Sequence, residues 1–74
     1  MRMIEIRSDI AGCVWKIQVK VGDQVKEEQE LLILESMKME VPVISPEDGT
    51  VKEIRVKEED VIMEEDVVLL IEVQ

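Results

Sequence analysis

The sequence contains no histidine, no tyrosine and no phenylalanine. Because histidine is the commonest general base in enzymes, its absence excludes a catalytic triad. The 18 acidic residues form no calcium-binding loop, which needs a glycine and a terminal glutamate at fixed positions, so we interpret them as surface charge and expect no metal site. A chain of 74 residues needs nearly all of its apolar side chains for a core, which leaves little for a substrate cleft. Composition therefore predicts a non-catalytic protein.

Cysteine and long apolar runs are also scarce. The one cysteine, Cys13, cannot form an internal disulfide, and without a histidine partner we interpret it as a packed thiol. No apolar run approaches the roughly 20 residues that a bilayer-spanning helix needs, and the N-terminus has no signal-peptide pattern. The sequence therefore predicts a cytoplasmic protein.

Positive charge is limited to 9 residues against 18 negative ones, which gives a formal net charge of −9. A field of this sign repels phosphate backbones and anionic lipids, so we expect no nucleic-acid or membrane partner and favour basic protein partners. The same charge keeps a small domain soluble, and it predicts a monomer.

The two halves of the chain are copies of each other at a shift of 37 positions. The shift aligns the segment that starts at Gly12 with the segment that starts at Gly49. Identical pairs at this shift include Ser8/Ser45, Gly12/Gly49, Val14/Val51, Ile17/Ile54, Val19/Val56, Asp23/Asp60, Glu28/Glu65 and Leu32/Leu69. Two copies are too few for a solenoid, so the repeat predicts one closed, pseudo-twofold domain over residues 1–74. Each half is expected to bury its apolar face against the other, which gives two small sheets around one core.

The segments of each copy read as strands. Apolar and polar residues alternate over Ile4–Arg7, Lys16–Val19 and Glu53–Val56, while Leu31–Leu34 and Val67–Ile71 are short apolar runs typical of buried strands. Turns are predicted at 21–23 and 45–49, where glycine permits positive φ and proline presets φ.

Two positions have competing interpretations. Residues 57–66 are rich in helix formers, but their apolar residues are consecutive and form no helical stripe, so we predict turns and a short strand. Trp15 is the only aromatic residue, and its repeat partner is Lys52. A position that accepts both is expected to be half exposed, and we favour a tryptophan that covers the core edge over a ligand-stacking role.

The segment between the two copies carries the candidate chemistry. If 31–35 and 40–44 are neighbouring antiparallel strands, the residues between them form a tight hairpin with Lys38 at its tip. A lysine amine on a four-carbon stem can be acylated, and the amide then holds a cofactor on a long arm. An ordinary lysine is protonated at neutral pH, so a second enzyme must deliver the activated acyl group. Lys38 is thus predicted to be a substrate.

The motif Glu-Ser-Met-Lys-Met at 35–39 resembles the attachment motif of biotin carboxyl carrier domains, members of the biotinyl/lipoyl attachment family, in which a modified lysine lies between two methionines. Only Ser36 departs from the commonest form, which has alanine. A chance match in this spacing is expected in roughly one chain in a thousand or fewer at this length. The family's G-x-V-x-x-I-x-V-K-x-G-D pattern also appears at 12–23 and, degraded, at 49–60.

The resemblance implies an all-β fold, a flattened β-barrel or sandwich of two four-stranded antiparallel sheets. It implies covalent biotin on Lys38, and recognition of Met37 and Met39 by biotin protein ligase. Glu35 and Ser36 complete the expected cofactor site. The implied function is to shuttle carboxylate between the biotin carboxylase and carboxyltransferase components of a carboxylase. For the two methionines we favour recognition over ordinary packing beside the hairpin.

The chain departs from the family in its turns, where Glu59, Glu28 and Glu65 stand at positions at which glycine is common. If those backbones need positive φ, each glutamate costs about 1 kcal/mol of stability. The family's thumb insertion and Ala/Pro-rich linker are absent. Because the chain opens at Met1 almost directly on a strand, we expect a free-standing carrier.

Two further functions stay open at this point. The first is a lipoyl carrier, since lipoyl domains resemble the same fold and lysine-tipped hairpin, although their lysine usually follows aspartate and Lys38 follows Met37. Lipoate on Lys38 is therefore a possible alternative to biotin. The second is a regulatory or structural binding module that carries no cofactor, which the intact motif disfavours.

Overall fold

The computed structural model describes all residues, 1–74, as eight β-strands joined by turns. The chain forms no helix that could cross a membrane. Residues 57–66 fold as turns around a two-residue strand, which confirms the prediction against a helix. The strands are β1 (Arg2–Arg7), β2 (Gly12–Ile17), β3 (Gln24–Val25), β4 (Glu30–Ser36), β5 (Met39–Ile44), β6 (Gly49–Ile54), β7 (Val61–Ile62) and β8 (Val67–Val73).

The strands form two four-stranded antiparallel sheets, as the resemblance implied. One sheet has the order β1-β8-β6-β3 and the other the order β5-β4-β2-β7. Each sheet takes two strands from each half of the chain, so the sheets do not correspond to the halves. The halves are tied together because β1 pairs with β8, β2 with β7 and β3 with β6. β4 and β5 are the one pair of consecutive strands that are hydrogen-bonded neighbours.

The pseudo-twofold repeat is obeyed by the whole backbone. Adding 37 to the bounds of β1, β2, β3 and β4 gives the bounds of β5, β6, β7 and β8, and the same shift exchanges the two sheets. Turn hydrogen bonds repeat too: the Lys20 N–H donates to Asp23 Oδ2 and the Lys57 N–H to Asp60 Oδ2, both at 3.0 Å.

β2 and β6 begin earlier than the alternation predicted, at Gly12 and Gly49, and end at Ile17 and Ile54. The reason is a β-bulge, because the register of β2 against β4 shifts between Val14 and Lys16. An extra residue at a bulge breaks the two-residue alternation. The alternating signal therefore covers only the last two residues of each strand, and the prediction of strand at 18–19 and 55–56 was wrong.

The two sheets enclose one core of thirteen buried apolar residues. Two buried serines, Ser8 and Ser45, lie at equivalent turns, and each hydroxyl donates to a backbone carbonyl two residues ahead. Burial of a hydroxyl is tolerated when it is hydrogen-bonded. The core residues are Ile6, Val14, Val19, Val25, Leu31, Leu32, Leu34, Val51, Ile62, Val68, Leu69, Ile71 and Val73.

The β4–β5 hairpin and the chain termini lie at opposite ends of the molecule, which measures 36 × 17 × 17 Å. The termini meet where Arg2 pairs with Val73. β1 runs away from them to Arg7, and a four-residue connection delivers the chain to Gly12, beside the end of β4. The hairpin is the repeat counterpart of the termini, because Ser36 pairs with Met39 as Val73 pairs with Arg2.

Candidate functional site

A two-residue turn, Met37-Lys38, joins β4 to β5 and contains the lysine that the motif singled out. Ser36 and Met39 pair across the strands directly below it. Both turn residues have positive φ, 52° at Met37 and 66° at Lys38. Positive φ at both central residues defines a type I′ turn, whose twist matches that of antiparallel strands. The turn places Lys38 at the apex of a hydrogen-bonded hairpin.

The Lys38 side chain is exposed and takes part in none of the protein's ion pairs. Its amine therefore projects into solvent from a fixed backbone. An acyl donor in a second protein could reach this amine without any rearrangement of the sheet. The arrangement suits a residue that is modified in trans by another enzyme.

The methionines on either side of Lys38 are also exposed, Met37 by 92% and Met39 by 65%. Neither belongs to the core. Large apolar side chains that point into water contribute little to folding, so ordinary packing does not explain them. They form an apolar collar around the lysine.

The other two motif residues lie on β4. Ser36 is half-buried next to Gly12, where an added Cβ would lie 2.8 Å from the Glu35 carbonyl oxygen. β2 and β4 therefore approach closely just below the turn. Glu35 is exposed and faces Glu40 across β4 and β5. Two like charges directly opposite each other are unfavourable in a sheet, and they place a negative field beside Lys38.

Sequence reasoning missed the left-handed backbone of Met37 and Lys38. Type I′ turns favour Asn-Gly and similar pairs, which this segment lacks. The spacing gave no signal either, because the predicted strands, 31–35 and 40–44, left four residues between them, and a loop of that length is most often built around a type I turn.

Comparison with known proteins agrees with this geometry. The biotin/lipoyl attachment family, described as "Biotin-requiring enzyme", matches residues 1–71. The chain belongs to this family. The Biotin/lipoyl attachment protein of Bacillus subtilis (strain 168) is 52% identical over 60 residues, which are 81% of this chain and 82% of that protein.

The domain also resembles parts of larger enzymes. Its fold matches the crystal structure of the Kluyveromyces lactis urea carboxylase with a TM-score of 0.90 and 31% identity, over 96% of this chain and 6% of that one. A dihydrolipoyllysine-residue acetyltransferase component of the pyruvate dehydrogenase complex, from Pseudomonas aeruginosa, is 43% identical over 63 residues, 85% of this chain and 12% of that protein. The chain therefore spans only a small part of the length of these two proteins.

Proposed function

We propose that residues 1–74 act as one biotin carrier domain and that Lys38 is the residue that carries biotin. The observation that carries the proposal is the exposed lysine at the apex of the β4–β5 turn, between two exposed methionines. The scaffold contributes position and rigidity. The attached group, when present, supplies the chemistry of carrying a carboxylate.

Attachment is an acyl transfer to the Lys38 amine. The deprotonated Nζ attacks the carbonyl carbon of an activated biotinyl group, an amide bond forms, and the bond from that carbon to its leaving group breaks. The proton passes from nitrogen to the ligase or to solvent. Biotin protein ligase supplies the activated acyl group, and it recognises Lys38 together with Met37 and Met39. Glu35 and Ser36 hold the turn on β4.

The carrier works in the cytoplasm as a monomeric, non-catalytic partner of a biotin-dependent carboxylase. The long arm on Lys38 takes carboxylate from the biotin carboxylase site to the carboxyltransferase site. Two features support this role: the amine projects from one narrow end of a molecule 17 Å across, so it can enter a partner's active site, and related sequence lies within a urea carboxylase.

Incubation of the purified chain with a biotin protein ligase, biotin and ATP tests the proposal. We expect intact mass to increase by one biotinyl group, and peptide mapping to place the group on Lys38. Lys38→Arg should abolish the adduct, because a guanidinium does not replace the amine as a nucleophile. Lys20→Arg, which keeps Lys38, is the matched control and should be modified normally. A second adduct elsewhere, or none, contradicts the proposal.

Lipoate on Lys38 is the second candidate, favoured by the 43% identity to the acetyltransferase component. The same chain offered biotin protein ligase and lipoate ligase in parallel separates the two. A lipoyl adduct without a biotinyl adduct would replace the first proposal, and both adducts on Lys38 would mean that the turn geometry alone suffices for either enzyme.

A further inference from the structure

The pseudo-twofold repeat provides an internal comparison, because the outer faces of the two sheets are built on equivalent backbones. We define the Trp15 face as the six apolar positions on the outer side of the sheet that contains the β4–β5 hairpin: Cys13, Trp15, Ile33, Pro42, Ile44 and Val61. The charged residues Lys16, Glu35 and Glu40 lie beside them on the same side. The equivalents of the six apolar positions on the other sheet are Thr50, Lys52, Leu70, Glu5, Arg7 and Gln24. Five of these six equivalents are polar or charged.

The opposite face carries charges that are paired with one another. Glu5 pairs with Arg7 at 2.6 Å and Lys52 with Glu72 at 3.3 Å. The remaining two ion pairs also use residues of that sheet or of its flanking loops, and no ion pair lies on the Trp15 face. The scaffold therefore folds with a mostly polar outer face on one side, where Met3 and Leu70 are apolar, so folding does not require an extended apolar outer face on the other.

Trp15 is the centre of the apolar face. Its side chain is 50% exposed, as its pairing with Lys52 in the repeat predicted, and it lies outside the core cluster. The bulge after Val14 places Trp15 and Lys16 together on the outer side. Tryptophan is one of the residue types enriched among the side chains that dominate binding energy at protein interfaces.

The location of the face limits the partner. A stable protein interface buries about 800 Å² on each side, which is more than a two-residue turn offers. An enzyme that acts on Lys38 must therefore extend over neighbouring surface. The Trp15 face belongs to the same sheet as the hairpin, and the row Ile33–Pro42 follows directly behind Glu35–Glu40 on β4 and β5.

The charges fix the complementary chemistry. Glu35 and Glu40 lie opposite each other between the hairpin tip and the apolar row, with no ion-pair partner, on a chain of net charge −9. A second copy of this chain would bring more negative charge to this edge. A protein with an apolar centre and lysine or arginine near its active site would neutralise it.

We propose that the Trp15 face is the docking surface for the biotin protein ligase that modifies Lys38, with basic residues of the ligase opposite Glu35 and Glu40. This inference rests on the proposed function. It assigns to the ligase a contact surface that extends well beyond Lys38 and the apolar collar of Met37 and Met39.

Steady-state biotinylation of the purified chain by a biotin protein ligase, followed by intact mass, tests the surface. Trp15→Lys installs the residue that the repeat carries at the equivalent position, and it should raise the KM for the chain about tenfold or more with little change in kcat. Ile44→Arg, which also copies the opposite face, should act in the same direction. Lys52→Gln on the opposite sheet is the matched control and should leave both constants within about twofold.

The possible outcomes are distinguishable. If the original chain gains no biotin on Lys38, the proposed function fails. If it is modified normally and both Trp15→Lys and Ile44→Arg keep the original KM, the docking surface is wrong while the proposed function stands. Sedimentation of the chain that shows a dimer, lost in Trp15→Lys without any kinetic change, would assign the face to a second copy and overturn the ligase assignment. Unchanged thermal unfolding of the variants confirms that they are folded.

Discussion

Five residues with side chains hold positive φ angles between 52° and 77°, and all five lie in turns. For an L-residue this conformation brings Cβ close to the following carbonyl oxygen and costs roughly 1 kcal/mol or more. Two of the five, Met37 and Lys38, are at the proposed attachment site, where the motif prevents replacement by glycine. The other three, Glu28, Glu59 and Glu65, lie in turns away from that site, so substitution by glycine can relieve their backbone strain without changing the motif.

Glycine at these three positions should stabilise the protein. The φ values are 70° at Glu28, 77° at Glu59 and 75° at Glu65, and at the equivalent of Glu59 the first repeat has Gly22 with φ 99°. We expect each substitution to raise the free energy of unfolding by about 0.3 to 1 kcal/mol, since relief of strain is partly offset by the greater freedom of glycine in the unfolded chain. Urea unfolding measures this.

Glu64→Gly provides the matched control for that series, because Glu64 is an exposed turn residue with ordinary φ. It should lower stability by a similar amount. A loss of stability in all three test variants would contradict the strain argument.

The sequence was informative about these residues to different degrees. Strain at the three glutamates was predicted because glycine is common in the family at all three positions, and the repeat has Gly22 at the equivalent of Glu59. Gly49 was expected to serve a turn through positive φ, but that interpretation was wrong: Gly22 is the one glycine with positive φ. An added Cβ at Gly49 would lie 2.6 Å from the Glu72 carbonyl oxygen, so close strand approach selects glycine there. The local sequence pattern around a glycine does not indicate a close approach to a strand that is distant in sequence.

At the scale of strands, Gly12 and Gly49 perform equivalent tasks in opposite sheets. Gly12 begins β2 against the end of β4, and Gly49 begins β6 against the end of β8. The strand ends beside them differ, because β4 leads into the Met37-Lys38 turn and β8 leads to the C-terminus.

Gly12→Ala and Gly49→Ala should therefore have equal effects on stability and unequal effects on modification. Each Cβ would meet a backbone oxygen at under 3 Å, so the strands must separate, which costs about 1 to 3 kcal/mol. Only Gly12→Ala moves the base of the hairpin, and we expect it to lower the rate of Lys38 biotinylation. Thermal unfolding and intact mass give the two readouts, and equal loss of modification in both variants would contradict this.

The strand pattern predicted the presence of most strands and the pairing of β4 with β5, while the arrangement in two four-stranded sheets came from the family resemblance. Runs such as 31–34 and 67–71 lie inside β4 and β8, but the bulges displaced the predicted strands that follow Trp15 and Lys52. Bulges depend on pairing with a partner strand, so local alternation does not reveal them. The repeat alone did not decide whether each half forms its own sheet. Two sheets that each contain strands from one half, and two sheets that each contain strands from both halves, have the same pseudo-twofold symmetry.

At the scale of the molecule, the shared core makes the two halves dependent on each other. Leu32 and Leu69 are repeat equivalents, both fully buried. A domain of this size has a total stability of about 4 to 11 kcal/mol.

Leu32→Ala and Leu69→Ala should each cost about 2 to 5 kcal/mol, and the two losses should agree within about 0.5 kcal/mol. Both variants should unfold in one transition, because each sheet contains strands from both halves of the chain. Calorimetry checks both statements. A difference above about 1.5 kcal/mol, or two separate transitions, would show that the halves have independent stability.

The opposite placement of the termini and Lys38 has a practical consequence. If this protein is attached to a support through its N- or C-terminus, by an affinity tag or a covalent linker, the Lys38 amine lies at the opposite end of a molecule 36 Å long, away from the support. Joining Met1 to Gln74 by a short peptide and opening the chain elsewhere would likewise leave the lysine untouched. The domain can thus be attached through its termini at one end while Lys38 stays accessible at the other end.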